Sequence, residues 1–119
     1  MLDGIRVLDL TRMLAGPYAT MLLADLGAEV IKIEPPEGDE IRRMGPPFVN
    51  GESAYFLAIN RNKKSLSLDL RTPAGLHAFQ RIAAKADVVI DNFRPGVMER
   101  LGIGHDRLRE LSPSLVLCS

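Results

Sequence analysis

The chain has 119 residues, enough for one small domain. Its 46% hydrophobic and 25% charged content is that of a globular protein and excludes wholesale disorder. Fifteen basic residues offset fifteen acidic ones, so no global charge points to nucleic acid or an anionic membrane, and any anion site must be a local cluster.

Chain order gives an alternation of strand and helix. Ile5–Leu10 is an apolar, β-rich run, followed by a turn, Thr11–Pro17. Pro17 suits a first helical turn, where its missing N–H is harmless. Tyr18–Gly27 reads as the helix, with Gly27 as its stop. Tyr18–Leu26 is too short to cross a bilayer and contains Asp25. Ala28–Glu34 is a second strand, ended by Pro35 and Pro36.

From Pro35 to about Asn62 the chain reads as irregular, with one apolar island at Ala54–Ile59. A connection of that length is usually functional or packed on a partner. Ser65–Leu70 alternates and predicts a strand with one wet face. Thr72 and Pro73 are an N-cap and first helical position. In the helix they open, Leu76, Phe79, Ile82, Ala83 and Ala86 form one apolar stripe. Asp87–Asp91 is a strand, Pro95–Leu101 a short turn or helix stopped by Gly102, Asp106–Leu111 a short amphipathic helix, and Leu115–Cys118 a last strand. Ending on a strand with no helix after it predicts a fragment of a longer protein.

Alternation of this kind predicts an α/β fold, a Rossmann-like parallel sheet with helices on its faces. Ligands of such sheets bind beyond the carboxyl ends of the strands. That rule selects Thr11–Pro17, Glu34 onward, Asp69–Thr72 and Asn92–Gly96. The first turn lacks the glycine fingerprint of dinucleotide binding, since Arg12, Met13 and Leu14 are too bulky for a pyrophosphate to approach the backbone. Glu34 is then a solvated strand-end carboxylate. Arg61, Lys63, Lys64, Arg71, Arg94 and Arg100 lie near strand ends and suit a polyanionic ligand, or are solubilising charges. Asn92 offers a donor and an acceptor, Phe93 a flat face and Arg94 a charge. Together they suit a nucleotide, or they form a turn around Pro95-Gly96 with Phe93 in the core.

No nucleophile, base and orienting group are paired, and no metal-ligand spacing occurs. His77 is expected on the exposed side of its helix, His105 as a cap or surface residue, and Asp9 as an internal hydrogen-bonding acid. The lone Cys118 excludes an internal disulfide, fits a reducing, cytoplasmic setting and is expected to be a buried strand residue. No basic segment followed by an apolar stretch marks a signal peptide.

Four ordered motifs carry a resemblance: "LDGIRVLDLTRMLAGPYATMLLADLGAEVIKIEPPEGD", "NRNKKSLSLDLRTPAG", "ADVVIDNFRPGVMERLGIG" and "LSPSLVLCS". The chain resembles the N-terminus of family III CoA-transferases, a superfamily that includes formyl-CoA transferase, carnitine CoA-transferase and the α-methylacyl-CoA racemases. The similarity covers essentially the whole chain, as roughly the first third of such a protein. The resemblance implies residues 1–119 as the N-terminal part of a large domain in an interlocked homodimer, with coenzyme A or an acyl-CoA as substrate and no metal. It implies that Leu68, Asp69, Leu70 and Arg71 border the adenosine, that Asn92, Phe93 and Arg94 bind CoA, that Arg100 binds phosphate, and that Leu14 and Ala15 line the reaction centre. Two departures, Leu14 for a Gln of formyl-CoA transferase and Pro35 for its CoA-contacting Arg, argue against formyl or oxalyl specificity. The family's catalytic aspartate falls beyond Ser119, so the expectation is transfer of CoA between an acyl-CoA and a carboxylic acid by the whole protein and none by this segment. The alternatives are an acyl-CoA racemase, with the same cradle and proton transfer at the α-carbon, and a non-enzymatic nucleotide-binding or dimerisation module.

Overall fold

A computed structural model describes residues 1–119 and bears out the α/β reading. Five parallel strands, β1 (Arg6–Asp9), β2 (Glu29–Glu34), β5 (Lys64–Ser67), β6 (Val88–Ile90) and β7 (Val116–Cys118), form one sheet in the order β5-β2-β1-β6-β7. Register is set by pairs such as Val7↔Val30, Val7↔Val88 and Ile33↔Leu66. The chain builds outward from β1 through β2 to β5, then crosses to β6 and β7 on the other side. The order therefore reverses between β1 and β6, where an open α/β sheet leaves a crevice at its carboxyl edge.

Alternate residues of each strand serve opposite faces. Leu8, Leu10, Ile33 and Val89 join Phe79 and Ala83 of α3 (Pro73–Ala83), Met98 of α4 (Val97–Arg100) and Leu108 of α5 (His105–Leu111) in the larger core. Val7 and Val30 point the other way and pack with Ala24 of α1 (Ala15–Asp25). The expected stripe holds: Phe79, Ala83 and Ala86 are buried, while Leu76 and Ile82 pack at the edge of the core. Thr72 caps α3 by accepting from the Gly75 N–H at 3.0 Å.

The segment read as irregular is more ordered than its composition suggests. A 3₁₀ turn at Glu40–Arg43 is capped by Asp39, whose carboxylate accepts from the Ile41 N–H. A hairpin follows, β3 (Phe48–Val49) and β4 (Glu52–Ser53), then the apolar island as helix α2 (Ala54–Ile59). The hairpin turn is Asn50-Gly51, both at positive φ (51° and 81°), the pairing that a two-residue turn of matching twist demands. Ile41, Phe56 and Ile59 close a small third core. The last strand also differs from expectation. Cys118 is exposed, because β7 is an edge strand with no neighbour on its outer side in this chain.

Candidate ligand cleft at the carboxyl edge of the sheet

Beneath the carboxyl edge lies a sealed set of charges. Asp9 ends β1 fully buried and accepts from the Thr11 N–H, the Thr11 and Thr20 hydroxyls and the Lys63 ammonium. The expectation of an internal hydrogen-bonding acid is thus met. Lys63 also donates to the Pro17 carbonyl and the Asn60 side chain, each at 2.9 Å. Burial pushes the Lys63 ammonium below its ordinary range, and Asp9 opposes that shift. Beside it, Lys32 Nζ donates to the Thr11 carbonyl and lies 2.8 Å from Asp39 Oδ2. That contact is an ion pair by distance but lacks hydrogen-bond alignment.

Glu34, at the end of β2, corrects the reading of a solvated carboxylate. It is 3% exposed and takes a two-pronged grip from Arg42 at 2.6 and 2.7 Å, with further donors in the Asp39 N–H and the Ser65 hydroxyl. Burial raises its pKa, but Arg42, the Asp39 N–H and Ser65 together hold it down at about 2. Arg42 itself lies over the Phe56 ring at 3.9 Å. Sequence reading missed Arg42, because the turn that brings it back to Glu34 is set by the Asp39 cap.

The proposed basic cluster separates in the same way. Lys63 is engaged by Asp9, Arg61 binds Asp25 at 2.7 Å, and Lys64 binds Glu29 at 2.6 Å. Lys64 opens β5 and Glu29 opens β2, so that pair stands at the amino edge, away from the crevice. Arg94 and Arg100 remain unpaired, and Arg71, although paired with Asp69 at 2.9 Å, lies at the crevice.

Above the sealed charges a cleft of about 330 Å³ crosses the ends of β5, β2, β1 and β6. Leu68, Asp69, Leu70 and Arg71 form one side and Phe93 the other, with Leu10, Ile33 and Val97 among the apolar floor. Arg12, Glu34 and Glu37 also line it. The Leu68–Arg71 wall forms because β5 ends at Ser67: the Leu68 N–H still bonds the Glu34 carbonyl, and then Asp69 turns the chain into α3. Gly75 permits that turn, since a Cβ there would stand 2.0 Å from the Asp69 carbonyl oxygen. The side chain and backbone N–H of Arg71 hold the Asp69 carboxyl below its ordinary pKa.

A second hollow of about 420 Å³, lined by Arg100, Thr72 and Leu76, shares Leu70, Arg71 and Leu101 with the first and so adjoins it. Arg100 and Arg94 are exposed and belong to no ion pair of the structure. Asn92 is exposed and lies outside the lining. Its amide bonds the backbone of Arg12, accepting from the N–H at 2.9 Å and donating to the carbonyl at 2.7 Å. Phe93 takes both roles open to it, packing on the core and lining the cleft. Leu14 and Ala15 are exposed at the start of α1 and do not line either hollow. His77 is exposed as expected, and His105 sits exposed at the start of α5 against the Ser119 hydroxyl.

The fold and the cleft define a Rossmann-like α/β protein with a hollow of apolar floor and charged rim along the carboxyl ends of its strands, where its sheet order reverses. Residues 2–119 match the profile of CoA-transferase family III, and the chain belongs to that family. It is 50% identical over 119 residues to the succinyl-CoA:glutarate CoA-transferase of Mus musculus, a match covering 99% of this chain and 27% of that protein. It is 50% identical over 123 residues to the succinyl-CoA:mesaconate CoA-transferase of Haloarcula hispanica, covering 99% of this chain and 31% of that one. The crystal structure of a CAIB/BAIF family protein from Brucella suis superposes with a TM-score of 0.95 at 48% identity, covering 99% of this chain and 32% of its own. The chain therefore spans about a third or less of the relatives it matches.

Proposed function

We propose that residues 1–119 form the N-terminal part of a transferase that moves CoA between an acyl-CoA and a carboxylic acid, and that this part holds the CoA nucleotide. The observation that carries the reading is the cleft itself: Leu68–Arg71 and Phe93, far apart in sequence, line one hollow at the carboxyl ends of the strands. Its apolar floor suits a purine ring. Its neighbour with Arg71 and Arg100 suits phosphate, and because the two hollows share Arg71, one nucleotide spans both. Arg94, exposed and unpaired next to Phe93, is a further phosphate contact. Leu14 and Ala15, exposed at the start of α1 and outside both hollows, are assigned by this reading to the acyl end.

Several relatives are named for dicarboxylic acids: glutarate, mesaconate and oxalate. The oxalate enzyme, from Acetobacter aceti, is 47% identical, close to the 50% of the others, so identity in this region does not select the acid. The nucleophile, by this reading, lies beyond Ser119. The exposed apolar stripe along α1, Tyr18 and Leu22 with the flanking cap residues Leu14 and Leu26, supports assembly with further protein, a homodimer in the whole molecule. The unpaired Cys118 supports a reducing, cytoplasmic setting.

Calorimetric titration of the full-length protein with CoA tests the reading, followed by conversion of succinyl-CoA in the presence of glutarate. Binding that is lost when Leu70 is replaced by Glu, in a variant that still folds, is the expected result. Undiminished binding by Leu70→Glu overturns the site. CoA binding with racemisation of a 2-methylacyl-CoA and no transfer overturns the reaction.

A further inference from the structure

We infer that Arg12 is a stacking residue for the purine base in this cleft and that Asn92 positions it. The inference rests on the CoA reading and adds to it two roles that the sequence did not suggest. By sequence alone Arg12 is bulk that keeps a pyrophosphate away, and Asn92 a direct contact to the nucleotide.

Arg12 follows β1 and Asn92 follows β6, so they meet where the sheet order reverses. The Asn92 amide engages both polar groups of the Arg12 backbone, at 2.9 and 2.7 Å. Behind them Thr11 is fixed as firmly: Asp9 accepts from its N–H and hydroxyl, and its carbonyl accepts from Lys32. The backbone under Arg12 is thus pinned from both sides. The Arg12 side chain meanwhile has no carboxylate partner, although Glu34, Glu37 and Asp69 line the same cleft. Glu34 is held by Arg42 and Asp69 by Arg71. The guanidinium instead lies over the Phe93 ring, 5.7 Å from its centroid.

A guanidinium that lies over an aromatic ring and beside the apolar floor of a cleft is a flat, weakly hydrated plate. Such plates stack on nucleobases, an interaction that tolerates any base and falls away when the plane is lost. Lysine keeps the charge but not the plane. Asn92 then acts through Arg12: an aspartate at that position still accepts from the Arg12 N–H but sets an oxygen against the Arg12 carbonyl, where the amide donated.

The test measures affinities of the full-length protein and its variants for CoA, dephospho-CoA and 4′-phosphopantetheine, with thermal melting to confirm folding. Arg12→Ala is expected to weaken CoA and dephospho-CoA equally, by about tenfold, within the range of base stacking, and to leave 4′-phosphopantetheine unchanged. Arg12→Lys is expected to fail to restore the loss. Asn92→Asp is expected to weaken both nucleotides, and the double variant to be no weaker than Arg12→Ala alone, the signature of a residue acting through another. Loss confined to CoA makes Arg12 a 3′-phosphate contact and overturns stacking, as does full rescue by lysine. Additive losses overturn the positioning role of Asn92. Wild-type protein that binds CoA while Arg12→Ala binds it equally sinks this inference alone; wild-type protein that binds no CoA sinks the reading beneath it as well.

Discussion

Lys63 and Arg71 flank the same strand, β5, and meet opposite fates. The Lys63 side chain is 2% exposed and its ammonium is surrounded by Asp9, Pro17 and Asn60; the Arg71 side chain is 71% exposed and bonds only its near neighbour Asp69, in a solvent-exposed pair. The contrast extends to the groups around them. Asp9, Lys32, Asp39, Glu34 and Arg42 form a floor of charges paired with one another or with Lys63, while Arg12, Arg71, Arg94 and Arg100 stand at the rim with room for a ligand. The floor fixes where the strand ends are, and the rim is what a ligand meets. Variants in the floor should therefore alter stability first, and variants in the rim affinity first.

The largest effect is expected at Lys63. Lys63→Met leaves Asp9 buried without its counter-ion, a loss of about 3–5 kcal/mol in unfolding free energy, read by urea denaturation of the full-length protein. A loss under about 1 kcal/mol would place Lys63 with the rim. Glu34 comes next. Its folded pKa of about 2 lies below the ordinary 4.5, so its stabilising contribution is fully present above pH 4.5 and fades as pH falls toward 2. The shift corresponds to about 3 kcal/mol. Glu34→Gln should lose about that much at pH 7 and converge with the parent protein as pH drops through that window. Parallel stability curves at all pH values would contradict the assignment.

Gly75→Ala should lose about 1–3 kcal/mol, because the new methyl meets the Asp69 carbonyl rather than a yielding side chain. It should also move the Leu68–Arg71 wall and weaken CoA, coupling floor and rim as the other variants do not. Arg100→Ala is the smallest in stability, within about 0.5 kcal/mol, with CoA weakened by about tenfold, the scale of one charge-assisted contact. Greater loss for CoA than for dephospho-CoA assigns Arg100 to the 3′-phosphate; equal loss assigns it to the pyrophosphate.

Much of the frame was legible in the residues. Pro17, Gly27, Thr72-Pro73 and the Phe79 stripe mark the helices through local rules, and strand–helix alternation leads to the parallel sheet. The Asn50-Gly51 turn was equally readable but was hidden in a segment judged by its Pro and Gly content. What stayed out of reach was the use of each charge. Lys63, Lys64 and Arg71 look alike in sequence, and only the packing of α1, α2 and the 3₁₀ turn decides which is sealed, which pairs at the amino edge and which reaches the cleft. Asn92 and Arg12 are far apart in the chain, so their bond depends on β1 and β6 being neighbours. Cys118 is exposed for a similar reason, since an apolar strand is buried only when something lies beside it.

The central claim, that the cleft between Leu68–Arg71 and Phe93 receives the nucleotide of CoA, is tested most directly by a crystal structure of the full-length protein bound to CoA. The adenine is expected in the cleft against Arg12 and Phe93, with a phosphate at Arg100. An adenine bound elsewhere, with this cleft filled by the protein's own side chains, would contradict it.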